Sequence, residues 1–194
     1  MTPTVQTSAS HPLEVRWVPD LPTAGALGTT IAPGMRGLNG TGTVLWQRDL
    51  DDDLGRLRGH HAADVLVSLL EADGGDLLEI PELLSRARAI GLDVRHYPII
   101  DKWIPRPEEG DTFDALVSGI REALDDGRRV VVHCRGGIGR SGLVAASVVG
   151  TYGVSGADAI VRVRRIQPAA VETRLQAWYV AQCVERCGAH AKAE

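Results

Sequence analysis

Hydrophobic residues along the chain follow two patterns that alternate through most of its length. Short runs rich in Val, Ile and Leu predict strands, and segments with apolar residues three or four positions apart predict amphipathic helices. The predicted strands are Leu13–Val18, Leu27–Ile31 (as an edge strand), Ala63–Leu70, Val94–Ile99 and Val130–His133. The predicted helices are Asp49–Leu57, Pro81–Ile90, Phe113–Leu124, Ser141–Tyr152, Ala157–Ile166 and Glu172–Cys187.

This alternation predicts an α/β fold with a mostly parallel central sheet flanked by helices, because a helical crossover usually connects parallel strands. The length of 194 residues fits one domain, which we place at residues 13–188. Residues 1–12 are rich in Thr, Ser and Pro and are predicted to lack fixed structure. Residues 189–194 are predicted to be a second tail.

Composition and charge exclude several classes of function. The net charge of −4 argues against nucleic-acid binding, which favours a basic face. We also expect no membrane association, because no apolar run approaches the ~20 residues that span a bilayer. The 3 cysteines are too few for a disulfide framework, so we expect reduced thiols and a cytoplasmic location.

The residues suited to chemistry lie where the strand Val130–His133 ends. Cys134 follows this strand, and Arg140 and Ser141 precede the next helical run. The three glycines between Cys134 and Arg140 are expected to let the backbone curl with positive φ. A strand, a tight loop and a helix N-terminus in this order direct backbone N–H groups at an oxyanion. The predicted phosphate-binding residues are Arg135, Gly136, Gly137, Ile138, Gly139 and Arg140.

Cys134 and Arg140 frame this loop as a nucleophile and a phosphate clamp. Converging N–H groups, a helix N-terminus and a guanidinium favour the thiolate form of a cysteine. The arginine fork matches two oxygens of a phosphate. The pair therefore predicts phosphoryl transfer through a covalent intermediate on Cys134.

Cleavage of a phosphate ester also needs a proton for the departing oxygen. Asp101 is our candidate acid, because it lies just beyond the strand Val94–Ile99 in a proline-rich loop. Asp111 is the alternative, although it also suits the N-cap of the helix that follows.

Three polar residues are candidates for supporting roles. The Ser141 hydroxyl is expected to hydrogen-bond the Cys134 sulfur, to cap the following helix, or to do both. His133 is expected to orient the loop rather than act as an acid, because strand alternation turns it away from the loop interior. Gln176 is a candidate for positioning the hydrolytic water, with an exposed helical glutamine as the alternative.

The loop from Cys134 to Ser141, preceded by His133, resembles the active-site loop of cysteine-dependent protein tyrosine and dual-specificity phosphatases. Four further segments resemble the kinase-associated phosphatase branch (cyclin-dependent kinase inhibitor 3-like) in order and spacing, over about residues 13–187. These segments are Leu27–Gly34, Ile80–Leu84, His96–Asp101 and Glu172–Gln176.

The resemblance implies a phosphatase fold, a phosphocysteine intermediate, no metal, and a phosphorylated protein or small phosphoester as substrate. The chain has no recognisable counterpart of the phosphotyrosine-gripping loop of tyrosine-specific enzymes. This absence implies a shallow pocket that also admits phosphoserine and phosphothreonine. The bulky residues Lys102, Trp103 and Ile104 depart from the smaller residues that the branch favours after its acid.

Other functions were weighed against the phosphatase. The cluster Asp49–Asp53 suggests a metal-dependent aspartyl phosphatase but fits a helix start better. Cys183 and Cys187 lie one helical turn apart but have no second ligand pair at metal spacing. A rhodanese-type sulfur transferase would need neither Asp101 nor Ser141, and a non-catalytic phosphate-binding module would need no complete set of reactive groups. A phosphoinositide substrate remains a minority alternative because the loop carries only one extra basic residue.

Overall fold

The computed structural model describes residues 2–71 and 80–190. Eight strands are assigned in these ranges: β1 Thr4–Thr7, β2 Arg16–Trp17, β3 Ala26–Thr30, β4 Arg36–Leu38, β5 Val44–Gln47, β6 Val65–Ser68, β7 Asp93–His96 and β8 Arg129–His133. The α-helices in the same ranges are α1 Leu50–Gly59, α2 Leu83–Ala89, α3 Gly110–Asp125, α4 Gly139–Gly150, α5 Gly156–Ile166 and α6 Arg174–His190.

The central sheet has five strands in the order β2-β3-β8-β6-β7. Strands β3, β8, β6 and β7 are parallel, and only β2 pairs antiparallel. The predicted mostly parallel sheet flanked by helices is therefore confirmed. The prediction that Leu27–Ile31 forms an edge strand was wrong, because β3 lies between β2 and β8. The segment before β3 covers it: Val15 and Trp17 pack directly over Gly28.

The middle strand β8 is buried on both faces. Val130 and Val132 pack into a core formed with helices α3 to α6, whereas Val131 packs with Leu54 of α1 and Leu83 of α2. This alternation follows from the two-residue period of a strand, and it explains the continuous Val run in the sequence. The carboxyl end of β8 is thereby fixed from both sides, and Cys134 follows directly.

A second, smaller sheet contains three strands in the order β1-β5-β4. Strand β1 pairs in parallel with β5, with Thr4 opposite Val44 and Thr7 opposite Gln47. The prediction that residues 1–12 lack fixed structure is therefore wrong for Thr4–Thr7. A four-residue polar strand has no hydrophobic periodicity of its own, and its partner residues lie about 40 positions later in the chain.

Buried charges join this small sheet to the rest of the molecule. The Arg48 guanidinium donates two hydrogen bonds to the Asp53 carboxylate at 2.8 and 2.7 Å, and both side chains are 1% exposed. The same carboxylate accepts from the Ser8 hydroxyl at 2.8 Å and from the backbone N–H of Gly34 at 2.9 Å. Arg48 also donates to the carbonyl of His11 at 2.9 Å. One ion pair thus ties the N-terminal segment, the β3–β4 connection and α1 together.

Replacing Asp53 by Asn should lower the free energy of unfolding by about 3–5 kcal/mol, because it leaves the Arg48 charge buried without a counter-charge. Urea unfolding followed by circular dichroism measures the effect. The matched control is Asp51→Asn, which breaks an ion pair with Arg86. In that pair the Asp51 side chain is 70% exposed and the Arg86 side chain is 43% exposed. That control should change the free energy of unfolding by about 1 kcal/mol or less. Equal losses in the two variants would contradict the assigned role of Asp53.

The C-terminal boundary also differs from the prediction. Helix α6 continues to His190, beyond the predicted domain end at residue 188. The rest of the predicted tail, residues 191–194, lies outside the described residues. In the part of the chain that the structure describes, no helix has the length and apolar character that crossing a membrane requires.

Candidate active site

Strand β8 places Cys134 at the floor of a cavity. Cys134 is 3% exposed, and its Sγ lies 3.5 Å from the Ser141 hydroxyl oxygen. Ser141 lies within the first turn of α4, whose N-cap is Ile138. The structure therefore places the Ser141 hydroxyl beside the sulfur and does not support its alternative position as the helix N-cap. The N-terminus of α4 lies next to the nucleophile, where its dipole favours negative charge.

The glycines of the loop serve different purposes. Only Gly137 adopts positive φ, at 66°, and a Cβ there would lie 2.7 Å from the Thr30 carbonyl group. The expectation of positive φ at Gly136 and Gly139 was wrong. Gly139 instead allows a close approach, because a Cβ there would lie 2.9 Å from a Glu172 carboxylate oxygen. The loop thus needs glycine at position 137 because the backbone has positive φ there, and at position 139 because Glu172 approaches too closely for a side chain.

Arg140 is buried beneath the loop that follows β7. Its side chain is 1% exposed, and it donates to the carbonyl of Ile99 at 3.1 Å. It also forms an ion pair with the Asp101 carboxylate at 3.1 Å. A buried guanidinium loses little conformational freedom on binding an anion, which suits a phosphate clamp.

Asp101 shares a cavity with Cys134, which is compatible with its predicted role as the acid. Both residues line the same cavity, and the Asp101 side chain is 60% exposed and so accessible to a substrate. Asp111, the alternative acid, lies exposed in the first turn of α3, and Glu109 rather than Asp111 is the N-cap. The position of Asp101 supports its candidate role, which remains a prediction.

The loop that contains Asp101 (residues 97–106), called the acid loop below, is held in place by contacts from distant segments. The backbone N–H of Asp101 donates to a Glu71 carboxylate oxygen at 3.3 Å, and Lys102 lies 4.0 Å from Glu172. Lys102 has a positive φ of 60°, a conformation that few non-glycine residues adopt. Such backbone strain persists only where surrounding contacts impose it, and it is common at functional sites.

Gln176 makes one of these loop contacts. The residue is fully buried, so the alternative of an exposed helical glutamine was wrong. Its amide donates to the carbonyl of Trp103 at 3.1 Å, and a Cβ on Gly139 would lie 3.2 Å from the same amide. Gln176 therefore binds the acid loop and lies close to Gly139 of the phosphate loop (residues 134–141), an arrangement compatible with positioning a water between them.

Replacing Gln176 by Ala should lower kcat for an alkyl phosphate about tenfold, because the acid loop loses its bond at Trp103. The effect on nitrophenyl phosphate should be smaller, since that leaving group needs little protonation. Gln182→Ala is the matched control: Gln182 lies on the same helix and bonds Glu185 in an exposed position. Equal kcat losses for the two substrates would argue against a role through the acid loop.

Arg135 and His133 have partners outside the cavity floor. Arg135 donates to the carbonyl of Arg36 at 3.4 Å and so contacts β4. His133 is fully buried at the end of β8, where its carbonyl accepts from the N–H of Leu69 at 3.0 Å. The contact between Arg135 and β4 was not foreseen from the sequence.

Two alternative sites receive structural explanations. Asp49 is the N-cap of α1, where its side chain accepts from two backbone N–H groups, and Asp53 pairs with Arg48. Cys183 and Cys187 have their sulfurs 4.0 Å apart near Asp114, but Arg186 binds both oxygens of that carboxylate at 2.8 and 2.9 Å. Hydrogen bonding to Cys187 and burial raise the pKa of Cys183, so this thiol stays protonated.

The second wall of the cavity was not predicted from the sequence. The cavity has a volume of about 390 Å³ and is lined by Glu172 and by residues of the β4–β5 hairpin, which comprises β4, β5 and the turn between them. No strand was predicted for the segments that form β4 and β5. Glu172 stands in the segment that carried the family resemblance, and this resemblance was the only signal that pointed to it.

Comparison with solved structures supports the fold. A crystal structure of kinase associated phosphatase, in which a serine replaces the catalytic-site cysteine, has a TM-score of 0.76. It is 22% identical, and the match covers 92% of this chain and 98% of that chain. The crystal structure of Tk-PTP in its active form has a TM-score of 0.66 and 25% identity, covering 89% and 97% of the two chains. The first match covers nearly the whole of a phosphatase chain, so the predicted phosphatase-like fold is confirmed.

Sequence relatives lead to the same family. Cyclin-dependent kinase inhibitor 3 of Rattus norvegicus is 27% identical over 142 residues, and the match covers 71% of this chain and 61% of the relative. The protein of the same name from Sus scrofa is 26% identical with the same coverage. The match thus spans about three fifths of these relatives' length. The family model described as "Tc-R-P: Polymorphic toxin system, DSP-PTPase phosphatase" matches residues 37–153, more than half of the chain. The chain therefore belongs to this family of DSP-PTPase phosphatases.

Proposed function

We propose that this protein is a cysteine-dependent protein phosphatase that works through a phosphocysteine intermediate. The observation that carries the proposal is the arrangement around the cavity floor. Cys134 lies within 3.5 Å of Ser141, and the buried Arg140 contacts the Asp101 carboxylate at 3.1 Å. A nucleophile and an acid thus line one accessible cavity, and the buried clamp contacts the acid, although Asp101 and Cys134 lie far apart in the chain.

The first chemical step follows from these positions. The Cys134 thiolate attacks phosphorus, and the bond from phosphorus to the ester oxygen breaks as the bond to sulfur forms. The departing oxygen takes a proton from the Asp101 carboxylic acid. The Arg140 guanidinium and the loop N–H groups stabilise the charge that develops on the phosphoryl oxygens.

The second step releases phosphate. Water attacks the phosphocysteine, the ionised Asp101 accepts a proton from this water, and sulfur departs as the thiolate. The Ser141 hydroxyl, 3.5 Å from Sγ, donates to the sulfur as its negative charge returns. The departing sulfur therefore needs no proton, and the enzyme returns to its starting state.

The names of the relatives point to a phosphorylated protein as the substrate. Kinase associated phosphatase and the cyclin-dependent kinase inhibitor 3 proteins are named for kinases, which are themselves proteins. A cytoplasmic location belongs to the same proposal, because the nucleophile must remain a reduced thiol. A small phosphoester is the alternative substrate, and it fits a cavity of about 390 Å³ equally well.

The proposal is tested by phosphate release from a phosphotyrosyl peptide in excess EDTA, with wild-type protein and with the Cys134→Ser variant. Wild-type protein should release phosphate at an unchanged rate when EDTA is added, and the variant should release none that is measurable. A strict requirement for Mg²⁺ would contradict the proposal and favour the Asp49–Asp53 cluster.

A further inference from the structure

The β4–β5 hairpin gives the cavity above Cys134 an apolar wall. Trp46 of β5 lines this cavity together with Ile31 and Met35, which precede β4. These three side chains also pack together at the border of the core beneath α1 and α2. The wall therefore extends from the core to the cavity that the nucleophile also lines.

Gly37 brings no side chain next to Trp46, and the Arg135 guanidinium lies close to this glycine. Gly37 and Trp46 lie opposite each other in the β4–β5 ladder, so no side chain from β4 covers the ring from that position. A Cβ on Gly37 would lie 3.4 Å from the Arg135 guanidinium, so this side of the hairpin faces the phosphate loop. Gly37 also has a positive φ of 93°, which strongly favours glycine. The hairpin thus contributes an aromatic side chain to the cavity that the phosphate loop lines.

Contacts at both ends hold this wall in place. Arg135 of the phosphate loop donates to the carbonyl of Arg36 at 3.4 Å. At the turn, the Asn39 side chain accepts from the N–H groups of Thr43 and Val44 at 2.9 and 3.1 Å. The guanidinium of Arg48, fixed by its buried ion pair, lies 5.8 Å from the centre of the Trp46 ring. A wall held in this way can select a substrate by shape.

We propose that Trp46 determines substrate specificity by packing against the aromatic ring of phosphotyrosine. This inference rests on the phosphatase function proposed above. In a phosphotyrosyl substrate the ring lies between the phosphate and the peptide backbone, so it occupies the space beside Trp46 when phosphate is bound at Cys134. Aromatic pairs gain free energy beyond the area that they bury. A phosphothreonyl side chain is too short to fill this space and leaves the wall in contact with water.

The inference changes the expectation of a shallow pocket that accepts all phosphorylated side chains. The chain has no recognisable phosphotyrosine-gripping loop, and the β4–β5 hairpin performs its function with a different sequence pattern. Phosphotyrosyl peptides should therefore bind more tightly than phosphothreonyl peptides of otherwise identical sequence.

Isothermal titration with the Cys134→Ser background tests this, because binding is measured without turnover. Paired phosphotyrosyl and phosphothreonyl peptides are titrated into this protein and into the same protein carrying Trp46→Leu. We expect Trp46→Leu to weaken phosphotyrosyl binding about tenfold, the usual size of an aromatic contact. Phosphothreonyl binding should change less than about twofold. Trp46→Phe should restore most of the phosphotyrosyl preference, which a merely structural role of Trp46 does not predict.

The matched control is Trp178→Leu, because Trp178 is 56% exposed on α6 and lies outside the cavity lining. This control should leave both affinities unchanged. If both peptides bind the Cys134→Ser background equally, or lose affinity equally on Trp46→Leu, the role of Trp46 is wrong and the phosphatase function stands. If neither peptide binds while wild-type protein releases no phosphate, both proposals are wrong.

Discussion

Replacing Cys134 by Ser should lower the turnover of an aryl phosphate by about 10³-fold or more, since a hydroxyl beside Arg140 is a far weaker nucleophile than a thiolate. The substitution changes one buried atom, and Ser141 remains close to the new hydroxyl. Binding of phosphate or vanadate should therefore survive. Steady-state kinetics and titration with vanadate measure the two effects separately.

Two further variants test whether the loss of turnover is specific to the residues of the phosphate loop. Arg140→Lys should lose most of both turnover and vanadate binding, because lysine cannot bind two oxygens at once or replace the contacts to Ile99 and Asp101. Cys187→Ser is the matched control, since this partly exposed cysteine lies on α6. It should keep nearly full activity. Substantial turnover by Cys134→Ser would exclude the covalent mechanism.

Replacing Asp101 by Asn should lower kcat/KM by about 10²–10⁴-fold, the usual contribution of a general acid. The amide keeps the shape of the side chain and its Oδ1, so Arg140 retains an acceptor at the position of its 3.1 Å contact. The variant loses the transferable proton and the negative charge of the ion pair with Arg140. The loss should be greatest for alkyl phosphates and smaller for nitrophenyl phosphate, which has a good leaving group.

The pH profile of the same variant identifies the acid. Turnover needs Cys134 deprotonated and Asp101 protonated, so the dependence of kcat/KM on pH should be bell-shaped for the wild-type protein. The rate falls at high pH because the carboxylic acid loses its proton. Asn has no such proton, so Asp101→Asn should keep the acid limb and lose the alkaline limb.

The control for this experiment is Asp111→Asn, which alters an exposed residue in the first turn of α3. It should retain the bell-shaped profile and near-normal turnover of alkyl phosphates. If Asp101→Asn instead keeps its alkaline limb and Asp111→Asn loses it, the acid role belongs to Asp111.

The parallel part of the fold could be predicted because its signals are local. The run Val130 to Val132 is hydrophobic at every position, which predicts a strand buried on both faces. The segments around it have helical spacing, so short stretches of sequence are enough to predict the alternation of strand and helix. The errors concern pairing between distant segments. Thr4–Thr7 has no hydrophobic pattern, and only its partner β5 makes it a strand. Likewise, β3 is not an edge strand only because β2 pairs with it, which the sequence did not indicate.

The phosphate loop could be recognised from local sequence. Its residues are consecutive, and the order of strand, glycines and helix start indicates where Cys134 and Arg140 lie. What surrounds them depends on long-range packing: Asp101 lies against Arg140, Gln176 binds Trp103, and Trp46 lines the same cavity as the nucleophile. The reason is that these contacts join residues far apart in the chain. Backbone preferences set the path of neighbouring residues, whereas the meeting of distant side chains depends on how the sheets and helices pack.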